Sequence, residues 1–362
     1  MKISIYTKQE WRGSVAAGTA RLLVGGTLSA IASLAIFLFV ATPIASAVDP
    51  PPPTRPTPAW LEAPVIPELR GGVRKRFLHN VERGRNRKMR ARVFAKVGDS
   101  NTQITGVLYG LGCEKARLNG RRSLAAVIDR YREVELENEN GIPGCEPGNS
   151  FSRRSAAVSS YTISSWSMAR VADLAPSGYE KAPLDCEPEE TPLTCELRIT
   201  RPRYVLVMTG SNDIVFDLLY AGNPPGSQLS RRLTPAIRTI RRFGSVPVLS
   251  TIPPAPTGLL AWRFIGDTNR EVWRLSKRLR VPMINLYRAL MSPGMVNYGT
   301  GPDSAHLGIF GESEFNRVET PGPTTLRDSV SFTRDALRNG SNRRNLIWLK
   351  TLRRLDRLAR GG

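Results

Sequence analysis

The amino-acid sequence predicts an α/β domain built on a parallel β-sheet. Short runs rich in Val, Ile and Leu, the composition of buried parallel strands, alternate with longer segments of helical periodicity. The 362 residues are 41% hydrophobic and 23% charged, which is ordinary globular composition and excludes a wholly disordered chain. The length would allow two domains, but one α/β domain with extensions fits it equally well.

The first 48 residues predict a targeting segment. Residues 1–21 carry four Lys or Arg against the single acid Glu10, and residues 22–48 then contain no formal charge. Ala45-Ser46-Ala47 offers the small residues of a signal-peptidase site, but the apolar run is also long enough for an uncleaved anchor, and both interpretations stay open. The positive-inside rule exports the chain from Asp49 onward in either case. We therefore expect an extracytoplasmic protein that is secreted, periplasmic or membrane-anchored facing outward.

The rest of the chain divides by composition into a linker, a basic segment and the domain itself. Residues 49–70 are rich in proline, which favours an extended and semi-rigid spacer. Residues 71–91 form a basic lead-in, in which Lys and Arg greatly outnumber the single acid Glu82. The domain is predicted at residues 92–362.

The formal net charge is +21, from 52 Lys and Arg against 31 Asp and Glu. Such an excess indicates an acidic partner, namely anionic lipid, a cell-wall polyanion or nucleic acid, unless it is only a solvated face. The export signal and the lack of a recognisable base-reading motif argue against nucleic acid. An anionic envelope polymer or a lipid surface is the expected partner.

Four cysteines lie beyond the targeting segment and are expected to form disulfides in an oxidising compartment. Cys113, Cys145, Cys186 and Cys195 permit three pairings. Each close pair flanks a loop rich in Gly, Pro and Glu, which favours Cys113 with Cys145 and Cys186 with Cys195. A zinc site is the alternative, but the cysteines lack CxxC spacing and no histidine is near them.

The predicted strands are Arg92–Val97, Tyr204–Thr209, Val246–Ile252 and Met283–Leu286. Thr234-Pro235 is predicted to open one helix by its N-cap and first-turn preferences, and Asp267 to cap the next. The last helix, Arg344–Arg360, carries leucines on one side, which predicts a face that packs on the core. Those leucines are Leu346, Leu349, Leu352 and Leu355.

Three polar motifs follow strand-like runs, where the reacting groups of such sheets lie. Gly98-Asp99-Ser100 ends the first run, and its glycine permits a sharp turn before the serine. Gly210-Ser211-Asn212-Asp213 ends the second run and supplies a side-chain amide. Asp303-Ser304-Ala305-His306 follows the last strand, with a carboxylate and an imidazole three residues apart.

These motifs supply the parts of nucleophilic catalysis by serine. A serine hydroxyl needs a base, and the base needs a group that orients it, roles that Ser100, His306 and Asp303 fit. The other histidine, His79, lies in the basic lead-in, so His306 is the candidate base within the domain. The Ser100 N–H and the Asn212 amide can stabilise an oxyanion. Asp99 and Asp213 are expected to hold their turns by hydrogen bonds to the backbone.

The three motifs resemble the diagnostic blocks of the SGNH hydrolase superfamily, the GDSL-like lipases and esterases, over about Arg92 to Leu307. The resemblance implies a three-layer α/β/α, flavodoxin-like domain whose five-stranded parallel sheet has the strand order 2-1-3-4-5. It also implies a Ser-His-Asp triad, ester or acetyl-ester hydrolysis, and no metal or other cofactor. Disulfide-bonded insertions and C-terminal helices would extend this domain.

One block departs from the family pattern. The family has a glycine there whose backbone N–H is a third oxyanion donor, and the best match in this chain is Ser160, before Tyr161-Thr162. A serine keeps the backbone N–H as long as the turn does not require positive φ. The resemblance therefore implies Ser160 as an oxyanion donor.

Two functions of different classes follow. The first is an exported serine esterase that hydrolyses esters of an envelope polysaccharide, a lipid or a small molecule through an acyl-enzyme. The alternative is a catalytically weak envelope-binding protein that docks on anionic polymers through its basic surface. The sequence leaves the acyl group, the alcohol and the oligomeric state open.

Overall fold

The computed structural model describes residues 57–103, 106–137, 145, 147–157, 162–174, 186–219, 221–224, 226–255, 263–302, 306–311 and 323–361. From Pro56 onward the chain forms one compact unit. The predicted targeting segment, most of the predicted linker, Ser160 and Asp303 lie outside the described residues.

Four parallel strands form the sheet in the order β1-β2-β3-β4. They are β1 (Arg90–Gly98), β2 (Pro202–Met208), β3 (Val246–Ser250) and β4 (Met283–Ile284). Phe94 of β1 is in register with Tyr204 of β2, and Leu249 of β3 with Met283 of β4. The parallel sheet and its four predicted runs are thereby confirmed, with strand ends shifted by two residues or fewer.

The five-stranded sheet in the order 2-1-3-4-5 is wrong for the described residues, because the edge strand beside β1 is missing. Residues 149–157 lie there instead. Phe94 N–H donates to the Ser150 hydroxyl (3.1 Å) and Gly98 N–H to the Ala157 carbonyl (3.1 Å). The Asn149 side chain accepts from the N–H groups of the next residues and bends the backbone out of the extended form. The four remaining strands keep the expected order.

Helices connect the strands and flank the sheet. In chain order they are α1 (Ala59–Glu62), α2 (Gly71–Asn86), α3 (Ser100–Gln103), α4 (Gly110–Cys113), α5 (Ala125–Arg132), α6 (Ile163–Ser167), α7 (Val171–Leu174), α8 (Pro192–Thr200), α9 (Ser211–Leu219), α10 (Leu229–Phe243), α11 (Ile265–Leu279), α12 (Leu286–Leu290), α13 (Pro323–Ser329) and α14 (Gly340–Arg360).

Two predicted helix starts are wrong. α10 begins at Leu229 and runs through Thr234 and Pro235, and the Thr234 hydroxyl donates to the Ser230 carbonyl within the helix (2.5 Å). Pro235 lacks the N–H that would bond the carbonyl of Arg231, and both residues are exposed, so water can replace that bond. In α11 the N-cap is Phe264, and Asp267 lies in the first turn, where a carboxylate favours the helix dipole.

Each face of the sheet is covered by an apolar cluster, which gives the three layers. Alternate residues of β2 divide between them, with Tyr204 and Leu206 on one face and Val205 and Val207 on the other. The first cluster includes residues of α2, α5 and α14, and the second includes residues of α8, α10 and α11. The predicted leucine stripe of α14 is buried, as expected for a core-facing side.

The residues before β1 contribute to this core. Phe77 and Val81 of α2 are buried in the first cluster, so the predicted basic lead-in contains a helix whose apolar side packs on the sheet. Upstream, Trp60 packs edge-on against Tyr287 with ring centroids 5.2 Å apart. The described domain therefore starts well before residue 92.

The favoured cysteine pairing is confirmed, with disulfides between Cys113 and Cys145 and between Cys186 and Cys195. The first ties α4 to Cys145, which precedes the segment 149–157 beside β1, and the second ties α8 to the residues before it. Within the described ranges, which start at residue 57, no helix has the length and apolar character needed to cross a bilayer.

Candidate active site

The turn after β1 requires glycine. β1 ends at Gly98, Asp99 follows, and Ser100 begins α3. A Cβ atom at Gly98 would lie 1.8 Å from the carbonyl oxygen of Met208, so only glycine lets the end of β1 approach β2 so closely. The close approach brings Ser100 to the carboxyl edge of the sheet, beside the end of β2.

Asp99 joins the first two polar motifs. Its buried carboxylate accepts from the Asn101 N–H (3.1 Å) within its own turn and from the Ser211 N–H (3.1 Å) at the start of α9. Burial raises the pKa of Asp99, and the two backbone N–H bonds oppose that rise. The carboxylate thus fixes the start of α9 next to the serine turn.

Asn212 lies in the first turn of α9, directly after the anchored Ser211. The preceding Gly210 has φ +128°, in the region that favours glycine, and a Cβ there would lie 3.2 Å from the Thr268 side chain. The backbone of this turn is therefore fixed on two sides, and Asn212 is held at the same sheet edge as Ser100.

Ser100 and His306 come together although 206 residues separate them. The hydroxyl oxygen of Ser100 lies 3.0 Å from Nε2 of His306, and both side chains are half-buried. When Nδ1 carries the ring proton, Nε2 accepts from the Ser100 hydroxyl, which is the geometry of a serine and its general base.

Backbone bonds hold the loop that carries His306. Gly301 N–H donates to the His306 carbonyl (2.8 Å), and Gly308 N–H donates to the Gly299 carbonyl (3.0 Å). Leu307 N–H donates to the side-chain oxygen of Asn101 (3.3 Å). The residue after the base is thus bonded to the residue after the serine.

Arg344 of α14 holds the backbone of the serine turn by a hydrogen bond. Its side chain is fully buried, and Nη1 donates to the Asn101 carbonyl (2.6 Å). Burial lowers the pKa of Arg344 to about 9, so the guanidinium stays charged at neutral pH. Sequence reasoning missed this residue and the role of Asn101, because neither belongs to a local motif and their contacts span more than 200 residues.

Asp213 connects the second motif to the segment after Ser160. Its buried carboxylate accepts from the Ile163 N–H (3.1 Å) and from Arg232 Nη1 (3.0 Å). It therefore bonds the backbone of another segment and a side chain of α10. Burial raises the pKa of Asp213 to about 6, although Arg232 and the Ile163 N–H favour the ionised form.

The raised pKa of Asp213 predicts a pH-dependent stability. Protonated Asp213 is favoured in the folded state, so its contribution is full below the ordinary carboxyl pKa of 3.8 and is lost as the pH rises through about 6. Between about pH 4.5 and pH 7 the loss is about 2 kcal/mol. The free energy of unfolding, measured with urea, should fall by that amount between these two pH values. Asp213→Asn should remove this part of the pH dependence.

Asp267→Asn is the matched control, because Asp267 is an exposed carboxylate that pairs with Arg270. It should leave the pH dependence unchanged. Equal pH dependence in the wild type and Asp213→Asn would show that the carboxylate of Asp213 ionises normally.

The structure does not describe every predicted site residue. Ser100, His306, Asn212, Gly98, Asp99, Gly210 and Asp213 are described, whereas Ser160 and Asp303 are not. Within the described part of the chain, no cluster of three or more His, Cys, Asp or Glu side chains has the arrangement of a metal site.

No family model and no curated protein matches the sequence. Several solved structures are similar to the chain. The chain is similar to a lipase/acylhydrolase from Enterococcus faecalis, with 18% identity over 59% of this chain and 86% of that chain and a TM-score of 0.35. The chain is also similar to an acetylxylan esterase from Geobacillus stearothermophilus, with 12% identity over 72% of this chain and 93% of that chain and a TM-score of 0.37. A third similar structure is a GDSL-like lipase from Bacteroides thetaiotaomicron, with 10% identity over 64% of this chain and 90% of that chain and a TM-score of 0.35. The last description names the family that the sequence motifs resemble.

Proposed function

We propose that the protein is an exported serine ester hydrolase of the SGNH type, with Ser100 as nucleophile and His306 as general base. The observation that carries the proposal is the 3.0 Å separation between the Ser100 hydroxyl oxygen and His306 Nε2. A hydroxyl at a sharp strand-to-helix turn, with a histidine nitrogen within hydrogen-bond reach, is the arrangement that activates serine towards a carbonyl carbon.

The first half-reaction forms an acyl-enzyme. The Ser100 oxygen attacks the ester carbonyl carbon while His306 Nε2 accepts the hydroxyl proton. The tetrahedral intermediate collapses, the bond to the alcohol oxygen breaks, and the imidazolium of His306 gives its proton to the leaving alkoxide. The acyl group remains on the Ser100 oxygen.

The second half-reaction regenerates the enzyme. A water molecule loses a proton to His306 Nε2 and attacks the acyl carbon, and collapse of the second intermediate returns that proton to the Ser100 oxygen as the carboxylic acid leaves. Asp303 would accept from Nδ1 of His306 in both steps and so hold the productive tautomer.

The oxyanion of both intermediates needs preorganised donors. We assign this role to the Ser100 N–H, the Asn212 side-chain amide and the Ser160 N–H. Asp99 supports the first two, because it accepts from backbone N–H groups in both turns. Asp213 supports the third, because its bond to the Ile163 N–H anchors the chain three residues after Ser160.

The substrate proposed is an ester of a carboxylic acid, including an acetyl ester, carried by an envelope polysaccharide, a lipid or a small molecule. The targeting segment and the two disulfides are consistent with an exported enzyme that meets such esters outside the cytoplasm.

Hydrolysis of p-nitrophenyl acetate by the purified full chain tests this function. The acyl-enzyme route predicts turnover, with an initial burst of p-nitrophenol where hydrolysis of the acyl-enzyme is slower than its formation. The alternative function, envelope binding without efficient catalysis, predicts no hydrolysis by the wild type together with salt-sensitive binding to polyanions that survives Ser100→Ala. That pair of results would remove the esterase proposal.

Asn101 is expected to act as a positioning residue for the base. In Asn101→Leu the Leu307 N–H loses its acceptor, so the His306 ring is held less firmly, and we expect kcat to fall by about 10- to 100-fold with little change in KM. Asn101→Asp keeps an acceptor oxygen and adds a negative charge near the imidazole. We expect it to retain more activity than Asn101→Leu and to move the pH–rate profile to higher pH. Unchanged kcat in Asn101→Leu would contradict the assignment.

A further inference from the structure

Helix α14 spans the domain from one sheet edge to the other. Near its start, Ser341 N–H donates to the Gly308 carbonyl beside the His306 loop (2.9 Å). Near its end, the Ala359 carbonyl accepts from Arg85 Nη2 of α2 (2.7 Å). At 1.5 Å per residue these two points are about 27 Å apart along the helix. The second half of α14 is therefore remote from Ser100.

An open cavity of about 630 Å³ lies against this second half. Its apolar lining comes from Ile66 and Leu69, which precede α2, and from Leu358 of α14. Its charged lining is entirely cationic and consists of Lys350, Arg353, Arg354 and Arg357. The cavity thus combines an apolar surface with four positive charges.

These four cations have no carboxylate partner among the residues that the structure describes. Arg353 donates to the Ser123 hydroxyl, which is uncharged (2.6 Å). The acid of α14, Asp356, faces inward and pairs with Arg130. Burial, then repulsion by Arg121 and Arg343, lowers the pKa of Lys350. Among the described residues, no ion pair compensates the positive charge around the cavity.

Helix α2 extends the positive charge along the amino edge of the sheet. Gly84 packs against the Gly244 carbonyl just before β3, and Gly72 against the Arg280 side chain just before β4. The helix exposes four cations here: Arg74, Lys75, Arg76 and Arg85. Its one acid is Glu82. We call the four cavity cations, together with Arg85, whose side chain bonds the Ala359 carbonyl of α14, the distal basic face.

We propose that the distal basic face binds the surface of an anionic phospholipid bilayer. Lipid phosphates would lie on the cations, and the glycerol and upper acyl region would contact Ile66, Leu69 and Leu358. Ester hydrolysis would proceed at the opposite edge of the sheet, so these cations do not hold a substrate against Ser100. The active site would then face away from the membrane.

Two observations favour a lipid surface over a soluble polyanion. A hydrophilic polymer gains nothing from the apolar lining, whereas an amphiphile matches both the cations and the apolar residues. The uncharged run at 22–48 ends shortly before the described domain, and residues 49–57 span about 30 Å when fully extended. An anchor retained in that run would therefore keep the domain close to a bilayer.

Flotation of the full chain with vesicles tests the proposal. Pure phosphatidylcholine vesicles measure the contribution of the apolar N-terminal run, and vesicles with about one third phosphatidylglycerol add the anionic charge. For the wild type we expect about tenfold tighter binding to the anionic vesicles at about 0.05 M NaCl, lost at about 0.5 M. For the double variant Arg354→Glu, Arg357→Glu, the ratio of binding to anionic over neutral vesicles should be at least about fivefold smaller than for the wild type.

The matched control is Arg231→Glu, Arg263→Glu, which reverses two exposed arginines at the other sheet edge and changes the net charge equally. For this control, the ratio of binding to anionic over neutral vesicles should fall by less than about twofold. The milder Arg354→Gln, Arg357→Gln repeats the test, and thermal unfolding verifies that each variant is folded. The proposal is overturned if both double variants lose the same amount or if the wild type shows no gain on anionic vesicles. It is also overturned if Arg354 and Arg357 affect the binding of long-chain polyphosphate but not of vesicles.

Discussion

Replacement of Ser100 by alanine is expected to lower kcat/KM for p-nitrophenyl acetate by about four to six orders of magnitude. The change removes the hydroxyl that lies 3.0 Å from His306 Nε2, so no acyl-enzyme can form. The side chain is half-buried and loses one oxygen atom, so the free energy of unfolding should change by less than about 1 kcal/mol. Steady-state kinetics and urea unfolding on the same preparation measure both quantities.

Ser292→Ala is a matched control for this prediction. Its hydroxyl donates to the Ala289 carbonyl (2.7 Å) in the turn after α12, and its loss should leave kcat/KM unchanged. If Ser100→Ala kept more than about one tenth of the wild-type kcat/KM, the hydrolysis would not depend on this hydroxyl and another nucleophile would be required.

Gly98→Ala is expected to be the most destabilising single substitution at the site. The new methyl group would lie 1.8 Å from the Met208 carbonyl oxygen and 2.6 Å from the Thr102 hydroxyl, so the end of β1 must move away from β2. We expect the free energy of unfolding to fall by about 3 kcal/mol or more, with loss of activity because Ser100 moves with the turn. Urea unfolding of the purified variant measures the change.

Gly266→Ala provides the comparison at a glycine without such a contact. The nearest atom to its new methyl group is a ring carbon of Trp60 at 3.9 Å, and the residue lies in the first turn of α11. Alanine should be neutral or slightly stabilising there. A Gly98→Ala variant as stable as Gly266→Ala would mean that β1 and β2 do not approach each other as described.

The sheet could be predicted from the sequence because its strands are buried on both faces. Such strands read as continuous apolar runs, and the stretch Val246–Ser250 is an example in which every residue is buried. The missing edge strand could not be predicted in this way. In residues 149–157 the side chains of Asn149 and Ser155 accept from nearby backbone N–H groups, and such local bonds compete with an extended backbone.

The site shows the same division between local and tertiary information. Gly98, Ser100 and His306 belong to short motifs that follow strands, so their positions at the sheet edge could be predicted. Asn101 follows the first motif and had no predicted role, and Arg344 belonged to the predicted amphipathic helix. Their roles follow from contacts between distant segments, which residue spacing does not contain.

Fluorophosphonate labelling of the folded full chain, followed by peptide mass spectrometry, tests the central claim most directly. The reagent modifies a serine that a base has activated, and its adduct identifies the residue. The account predicts one adduct on Ser100 in the wild type and labelling at least about a hundredfold slower in His306→Gln. Folded wild-type protein without an adduct on Ser100, or His306→Gln labelled at the wild-type rate, would contradict it.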